Sequence, residues 1–211
     1  MSPNGHADRT FGNRGIITAF AGLGYDYAMS PLVESDGELV VGTDEGTQLQ
    51  LARFSVNGQP DEAFGRSGIA DSSIDPVDDP TAALISLSEE PTGQIDVIFE
   101  SALAMYHFDR ASFDPNGNSL GQIASSVATA DAPQDIILPT GDGGFIASVV
   151  EDSDTAVALI RYRADGTQDV TFDTTDLAGQ STLIDATSLA FDASGNILIA
   201  SPSSIGRVMG G

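Results

Sequence analysis

Arg53-Phe54-Ser55-Val56-Asn57-Gly58, with Asp61-Glu62-Ala63-Phe64-Gly65-Arg66-Ser67-Gly68 beginning three residues after the glycine, decides the reading of this chain because it recurs. Arg161-Tyr162-Arg163-Ala164-Asp165-Gly166 reproduces the first half, and Asp169-Val170-Thr171-Phe172 follows at the same spacing. A further version, Phe113-Asp114-Pro115-Asn116-Gly117, keeps the aromatic and the Asn-Gly but has Leu120 and Ile123 where Asp and Phe are due. The second half also stands alone near the start, as Asp8-Arg9-Thr10-Phe11-Gly12-Asn13-Arg14-Gly15. Asn-Gly and Asp-Gly supply the positive φ that a tight hairpin demands, so each copy reads as two strands joined by a turn.

Working outward, a second hairpin pattern precedes each of these segments and also occurs a fourth time. Its apolar bursts are Leu32-Val33 and Leu39-Val40-Val41, then Leu84-Ile85-Ser86-Leu87 and Ile95-Asp96-Val97-Ile98, then Ile136-Ile137-Leu138 and Phe145-Ile146-Ala147, and last Leu189-Ala190-Phe191 and Ile197-Leu198-Ile199. The glycines between them, at 37, 93, 143 and 195, are 56, 50 and 52 residues apart. Self-similarity at one such period marks a repeat architecture, and a lone small sheet must pack on its neighbours to bury its faces.

The expectation is an all-β chain of four repeats, over residues 26–70, 79–125, 132–180 and 184–209, with an additional strand over 8–18. Three repeats of four strands, a last one ending in a truncated strand at Ile205–Met209, and the N-terminal strand make sixteen. That is a small β-propeller of four antiparallel blades, one domain over residues 1–211. The N-terminal and C-terminal segments would share a blade, and closure would remove exposed sheet edges. An open array, or two chains joined into a larger ring, would use the same strands.

The run Arg-aromatic-x-x-Asp-Gly followed by Asp-x-x-Phe-Gly-x-x-Gly resembles the bacterial delta-60 repeat family, best over Arg53 to Gly68, Arg161 to Asp176 and Asp8 to Gly15. The third copy departs from it, with Asp173 and Asp176 in place of the glycines. The resemblance implies a propeller-like architecture and carries no general activity. Physically, Phe11, Phe64 and Phe172 are expected in the core between blades, and Gly12, Gly15, Gly65 and Gly68 at bulges or turns. Arg53 and Arg161 are expected to bind carboxylates, including Asp61 and Asp169, in bidentate pairs.

Composition excludes more than it identifies. Thirty-one acidic residues face eight basic ones, all arginine, for a net charge of −23. Phosphate backbones and anionic lipid surfaces are bound mainly through clustered Lys and Arg, so no nucleic-acid partner and no membrane insertion are expected. The charge fits solubility or attraction of calcium or a cationic ligand. With no cysteine there are no disulfides, thiolate metal sites or cysteine nucleophiles. The N-terminus lacks a basic start and an apolar block, so no signal peptide is visible. A cytoplasmic location is the default, with leaderless secretion left open.

Chemistry is sparse. Of the two histidines, His6 lies near the terminus and His107 sits in an apolar run, where a general base is outweighed by an ordinary strand histidine. No Gly-x-Ser-x-Gly elbow, Walker loop or dinucleotide fingerprint is present. Acid clusters at Asp71, Asp75, Asp78 and Asp79 and at Glu151, Asp152 and Asp154 offer hard oxygens suited to calcium. Both nonetheless read as solvated loops without the glycine and terminal Glu of an EF-hand, so the expected complement is no cofactor, no metal ligand and no catalytic residue. Sugar sites usually stack on Trp or Tyr, and this chain has no Trp and four Tyr, which weakens the lectin and glycosidase readings alike. The leading expectation is a non-enzymatic binding or scaffold propeller for a protein or small-molecule ligand, self-associating as a homo-oligomer. The rival is a carboxylate-based hydrolase or calcium-dependent enzyme drawing acids from several blades at a central channel.

Overall fold

The computed structural model describes residues 8–19, 31–45, 48–72, 83–101, 107–124, 133–150, 157–172 and 187–209. Among these residues all regular structure is β, in fourteen strands that form four antiparallel sheets. The first repeat gives β1 (Leu32–Val33), β2 (Leu39–Glu45), β3 (Gln48–Phe54) and β4 (Ile69–Asp71), in that spatial order. The second gives β5 (Ala83–Glu89), β6 (Ile95–Ser101), β7 (His107–Phe113) and β8 (Ser119–Ala124), again in sequence order. The third gives β9 (Pro133–Pro139), β10 (Phe145–Val150) and β11 (Val157–Tyr162), and the fourth β12 (Ser188–Phe191), β13 (Ile197–Ala200) and β14 (Ile205–Val208).

One turn builds every repeat. In the first hairpin the Glu34 N–H donates to the Glu38 carbonyl and the Gly37 N–H donates back to the Glu34 carbonyl. The same pair of bonds closes the segments 55–59, 90–94, 114–118, 140–144, 163–167 and 192–196. This is a type I turn followed by a left-handed residue, the three-residue hairpin loop with a G1 bulge. The left-handed residue is glycine each time, with φ between 74° and 91°. The glycine period of the sequence is therefore the period of one turn geometry.

Two compact units emerge from the contacts, Met1–Ile98 with Ala111–Gln122, and Phe99–Arg110 with Ile123–Gly211. In the first, Val40, Leu51, Phe54, Ile95, Val97 and Phe113 are buried on their strands, and Phe64 is buried from the loop before β4. In the second, Ile146 and Leu159 from the third repeat pack with Ile197 and Ile199 from the fourth, and Phe172, Leu189 and Val208 lean on that cluster. Tyr162 stacks on Phe145 at 4.7 Å between ring centroids.

The Asp-x-x-Phe-Gly block is a compact loop. At Asp61–Ile69 the Phe64 N–H donates to Asp61, Gly68 to Phe64 and Arg66 to Ile69. Asp8–Ile16 repeats those bonds at Phe11, Gly15 and Asn13. Positive φ recurs in register too, at Gly12 and Gly65 (both 54°), Arg14 and Ser67 (both 58°), and Gly15 and Gly68 (95° and 88°). The expected strand over residues 8–18 is corrected accordingly: three left-handed residues in four wrap the chain into turns and isolated bridges, and the described part contains no strand. Each loop then reaches to an Asn-Gly turn. The Gly12 N–H donates to the Asn57 carbonyl at 2.8 Å, and the Gly65 N–H to the Asn116 carbonyl at 2.7 Å.

Candidate functional site

Two places combine charge with shape, one in each unit. In the first unit the site is centred on Arg53, on β3. Its Nε and Nη2 both approach Asp61 Oδ2, at 2.9 and 2.7 Å, and its Nη1 donates to the Pro115 carbonyl at 2.9 Å. The guanidinium carbon lies 4.5 Å over the Phe64 ring, a cation–π distance. The expected Arg53–Asp61 pair is thus present, with two nitrogens converging on one oxygen instead of a parallel fork.

The β1–β2 turn supplies the rest of that site. Glu38 Oε2 lies 3.1 Å from Arg53 Nε, and Glu34 Oε1 lies 3.7 Å from Nη1. Asp36 accepts from the Glu38 N–H, and Glu89 of the second repeat accepts from both the N–H and the hydroxyl of Ser35. Glu34 is buried, and its Oε2 has no hydrogen-bond partner. Burial pushes its carboxyl up to about 7; Arg53 pulls the other way, while Asp36, Glu89 and Glu38 add repulsion. One carboxylate oxygen from each of Glu34, Asp36 and Glu38 lies within 4.8 Å of the others.

In the second unit the third repeat departs from the sequence reading. Arg161 Nη2 binds Asp142 Oδ2 at 3.1 Å, whereas Asp169 is taken by Arg163 at 2.5 Å. The expected Arg161–Asp169 pair is replaced because Asp142 stands beside Arg161 in the adjacent turn, and Arg163 begins the turn that leads to Asp169. A cavity of about 260 Å³ opens beside the Arg161–Asp142 pair. Thr140, Asp142 and Arg161 form its polar edge, and Ile146, Phe172, Phe191 and Ile197 its apolar wall. The Thr140 hydroxyl, the Gly144 N–H and Arg161 hold the Asp142 carboxyl below the usual carboxylate range against the cost of its partial burial.

The other sequence candidates fall elsewhere. Phe64 is fully buried, as expected of the core, whereas Phe11 and Phe172 are half-buried. Of the first acid cluster, Asp71 ends β4 and accepts from Gln50 Nε2 at 2.7 Å, and Asp75, Asp78 and Asp79 lie outside the described residues. Glu151, Asp152, Asp154 and His6 also lie outside them, and His107 opens β7. The trio at Glu34, Asp36 and Glu38 was legible only as an i, i+2, i+4 spacing of acids across a turn.

A family model described as a domain of unknown function (DUF5122) β-propeller matches residues 143–172, the third repeat from the left-handed Gly143 of its first turn to its signature Phe172. Across 92% of this chain and 63% of its own length, the aldose sugar dehydrogenase of Streptomyces coelicolor, solved with PQQ bound, superposes with a TM-score of 0.51 at 13% identity. This chain has a β-propeller fold. Also similar is virginiamycin B lyase of Staphylococcus aureus, solved as a catalytically inactive variant with quinupristin, at TM-score 0.48 and 16% identity over 85% of this chain and 51% of that one. A polysaccharide lyase, ulvan lyase, gives 0.46 at 12% identity over 94% of this chain and 53% of its own. The propeller chain described here spans about half to two thirds of the length of these structures. No curated protein matches its sequence.

Proposed function

We propose that this propeller is a non-enzymatic binding module of the delta-60 kind whose small ligand occupies the cavity of the second unit. The observation that carries the reading is the make-up of that cavity. An apolar wall with a partly exposed aromatic, Phe191, faces an edge where an arginine and a carboxylate already satisfy each other. At about 260 Å³ it lies just under the ~300–1,000 Å³ of drug-sized pockets, which suits a ligand of one ring with a polar group.

A carboxylate hydrolase needs two acids flanking the scissile bond, one of them with a raised pKa. Asp142 is the one acid among the described residues lining the cavity, and its hydrogen bonds favour the ionised form. That suits recognition better than proton transfer. Saturation-transfer NMR with phenol and with glucose tests the reading. Transfer to either probe in the parent protein, lost in Phe191→Ala, supports it, whereas no transfer to either sinks it. Turnover of nitrophenyl glycosides that Asp142→Asn abolishes would establish the hydrolase instead. Closure of the four blades into one ring belongs to the same proposal, and sedimentation at two concentrations tests it: a strict monomer supports closure, and an obligate dimer favours a composite ring.

A further inference from the structure

We propose that the β1–β2 turn of the first repeat is a calcium site whose ligands are the carboxylates of Glu34, Asp36 and Glu38. This site is independent of the cavity in the second unit, and either can fail without the other. One oxygen from each carboxylate falls within 4.8 Å of the others. Calcium holds its oxygens at about 2.3–2.6 Å, so opposite ligands stand about 4.6–5.2 Å apart, and one ion can span such a trio. Two or more positions of its six to eight would remain for water at the exposed side of Asp36.

The second observation is the buried oxygen. The Glu34 side chain is 5% exposed, yet its Oε2 accepts no hydrogen bond, and Oε1 meets Arg53 only at 3.7 Å. A buried carboxylate oxygen left bare is costly, and a hard cation is the partner that removes the cost for the whole trio. Arg53 does not suffice, because Glu38 and Asp61 hold the same guanidinium at 3.1 and 2.7 Å.

The other repeats show what the turn looks like without this task. The positions of Glu34, Asp36 and Glu38 correspond to Glu90, Thr92 and Gln94, to Thr140, Asp142 and Gly144, and to Asp192, Ser194 and Asn196. In the fourth repeat the leading acid closes its own turn, with Asp192 accepting from the N–H groups of Ser194 and Asn196 and from the Asn196 side chain. In the third, the Thr140 hydroxyl donates to Asp142. Only the first repeat places acids at all three positions, and there the leading Glu34, one methylene longer than Asp192, leaves an oxygen bare.

The test is calcium titration of chelator-treated full-length protein, watched by thermal unfolding at constant ionic strength. Calcium at about ten times its dissociation constant should raise Tm by about 3–6 °C. Glu34→Gln should abolish the rise, and so should Asp36→Asn, which keeps an oxygen to accept from the Glu38 N–H. Glu62→Gln, an exposed acid outside the turn, makes the same charge change and should leave the rise intact. No rise in the parent protein, or an equal rise in Glu34→Gln and Asp36→Asn, overturns the site. The second outcome assigns the effect to general screening of a charge of −23.

Discussion

The first and second repeats are built on the same turn and the same strand order, yet they join their third and fourth strands differently. In the second, β8 begins straight after the turn at 114–118. In the first, the loop Asp61–Gly68 intervenes, and β4 pairs with β3 only from Ile69, opposite Ala52. Leu120, which stands where Asp61 does, is 57% exposed and contributes nothing to the core. The sheet therefore does not need the loop. What the loop adds is attachment to the next repeat, through its Gly65 N–H to Asn116 and through Asp61, which holds the β3 residue Arg53 that donates to Pro115.

The sharpest way to break that contrast is Phe64→Ala. Phe64 is fully buried and lies under the Arg53 guanidinium, so its truncation should cost about 3–5 kcal/mol in denaturant unfolding. A loss under about 1 kcal/mol would mean that the loop is not core. Arg53→Ala comes next, at about 2 kcal/mol, because it strands Glu34, Glu38 and Asp61 without their shared cation. Arg53→Lys should recover only part, since an ammonium cannot reach Asp61 and Pro115 together in the planar arrangement.

Gly117→Ala should cost about 1–3 kcal/mol, since φ is 80° and an added Cβ would lie 2.7 Å from the Gly65 nitrogen. Gly121→Ala is its control within the same repeat. There φ is 110° but nothing lies within 4 Å, so only the backbone strain remains and the loss should be smaller. Equal losses would remove the close approach between repeats as the cause.

The smallest expected effect is on acid stability. Asp114 opens the second repeat's turn and is held below its ordinary value of 3.8 chiefly by the Asn118 side chain and N–H. A depressed folded pKa contributes stability that is present above about pH 3.8 and lost as pH falls through the lowered value. Asp114→Asn should flatten the decline of Tm on that acid limb and leave the profile near neutrality unchanged in shape. The first repeat has Ser55 at this position, and its hydroxyl accepts from the Gln59 N–H without titrating.

The period, the turn glycines and the Arg53–Asp61 pair were legible because each is a local rule about backbone sign or charge at fixed spacing. The Arg161 pairing was not. The chain places Arg161 and Arg163 two residues apart, and only the folded turn decides which of them stands beside Asp142. The 8–18 segment misled for a related reason: its place in the repeat makes the Asp-x-x-Phe-Gly block the strand that the last copy lacks, but Gly12, Arg14 and Gly15 impose left-handed geometry. Glu34, Asp36 and Glu38 show in the sequence only as acids around the Gly37 turn, and the burial of Glu34 beside Arg53 is visible only in the fold.

The attachment between repeats has a direction. The glycine of one loop donates and the asparagine of the following turn accepts, at 12 to 57 and again at 65 to 116, and among the described residues never the reverse. Repeats joined by such plugs and sockets can be extended in one sense only, and a free plug from a second molecule would fit an empty socket as well as the native one. An internal duplication that preserves the 50- to 56-residue spacing would thus lengthen the array without redesign.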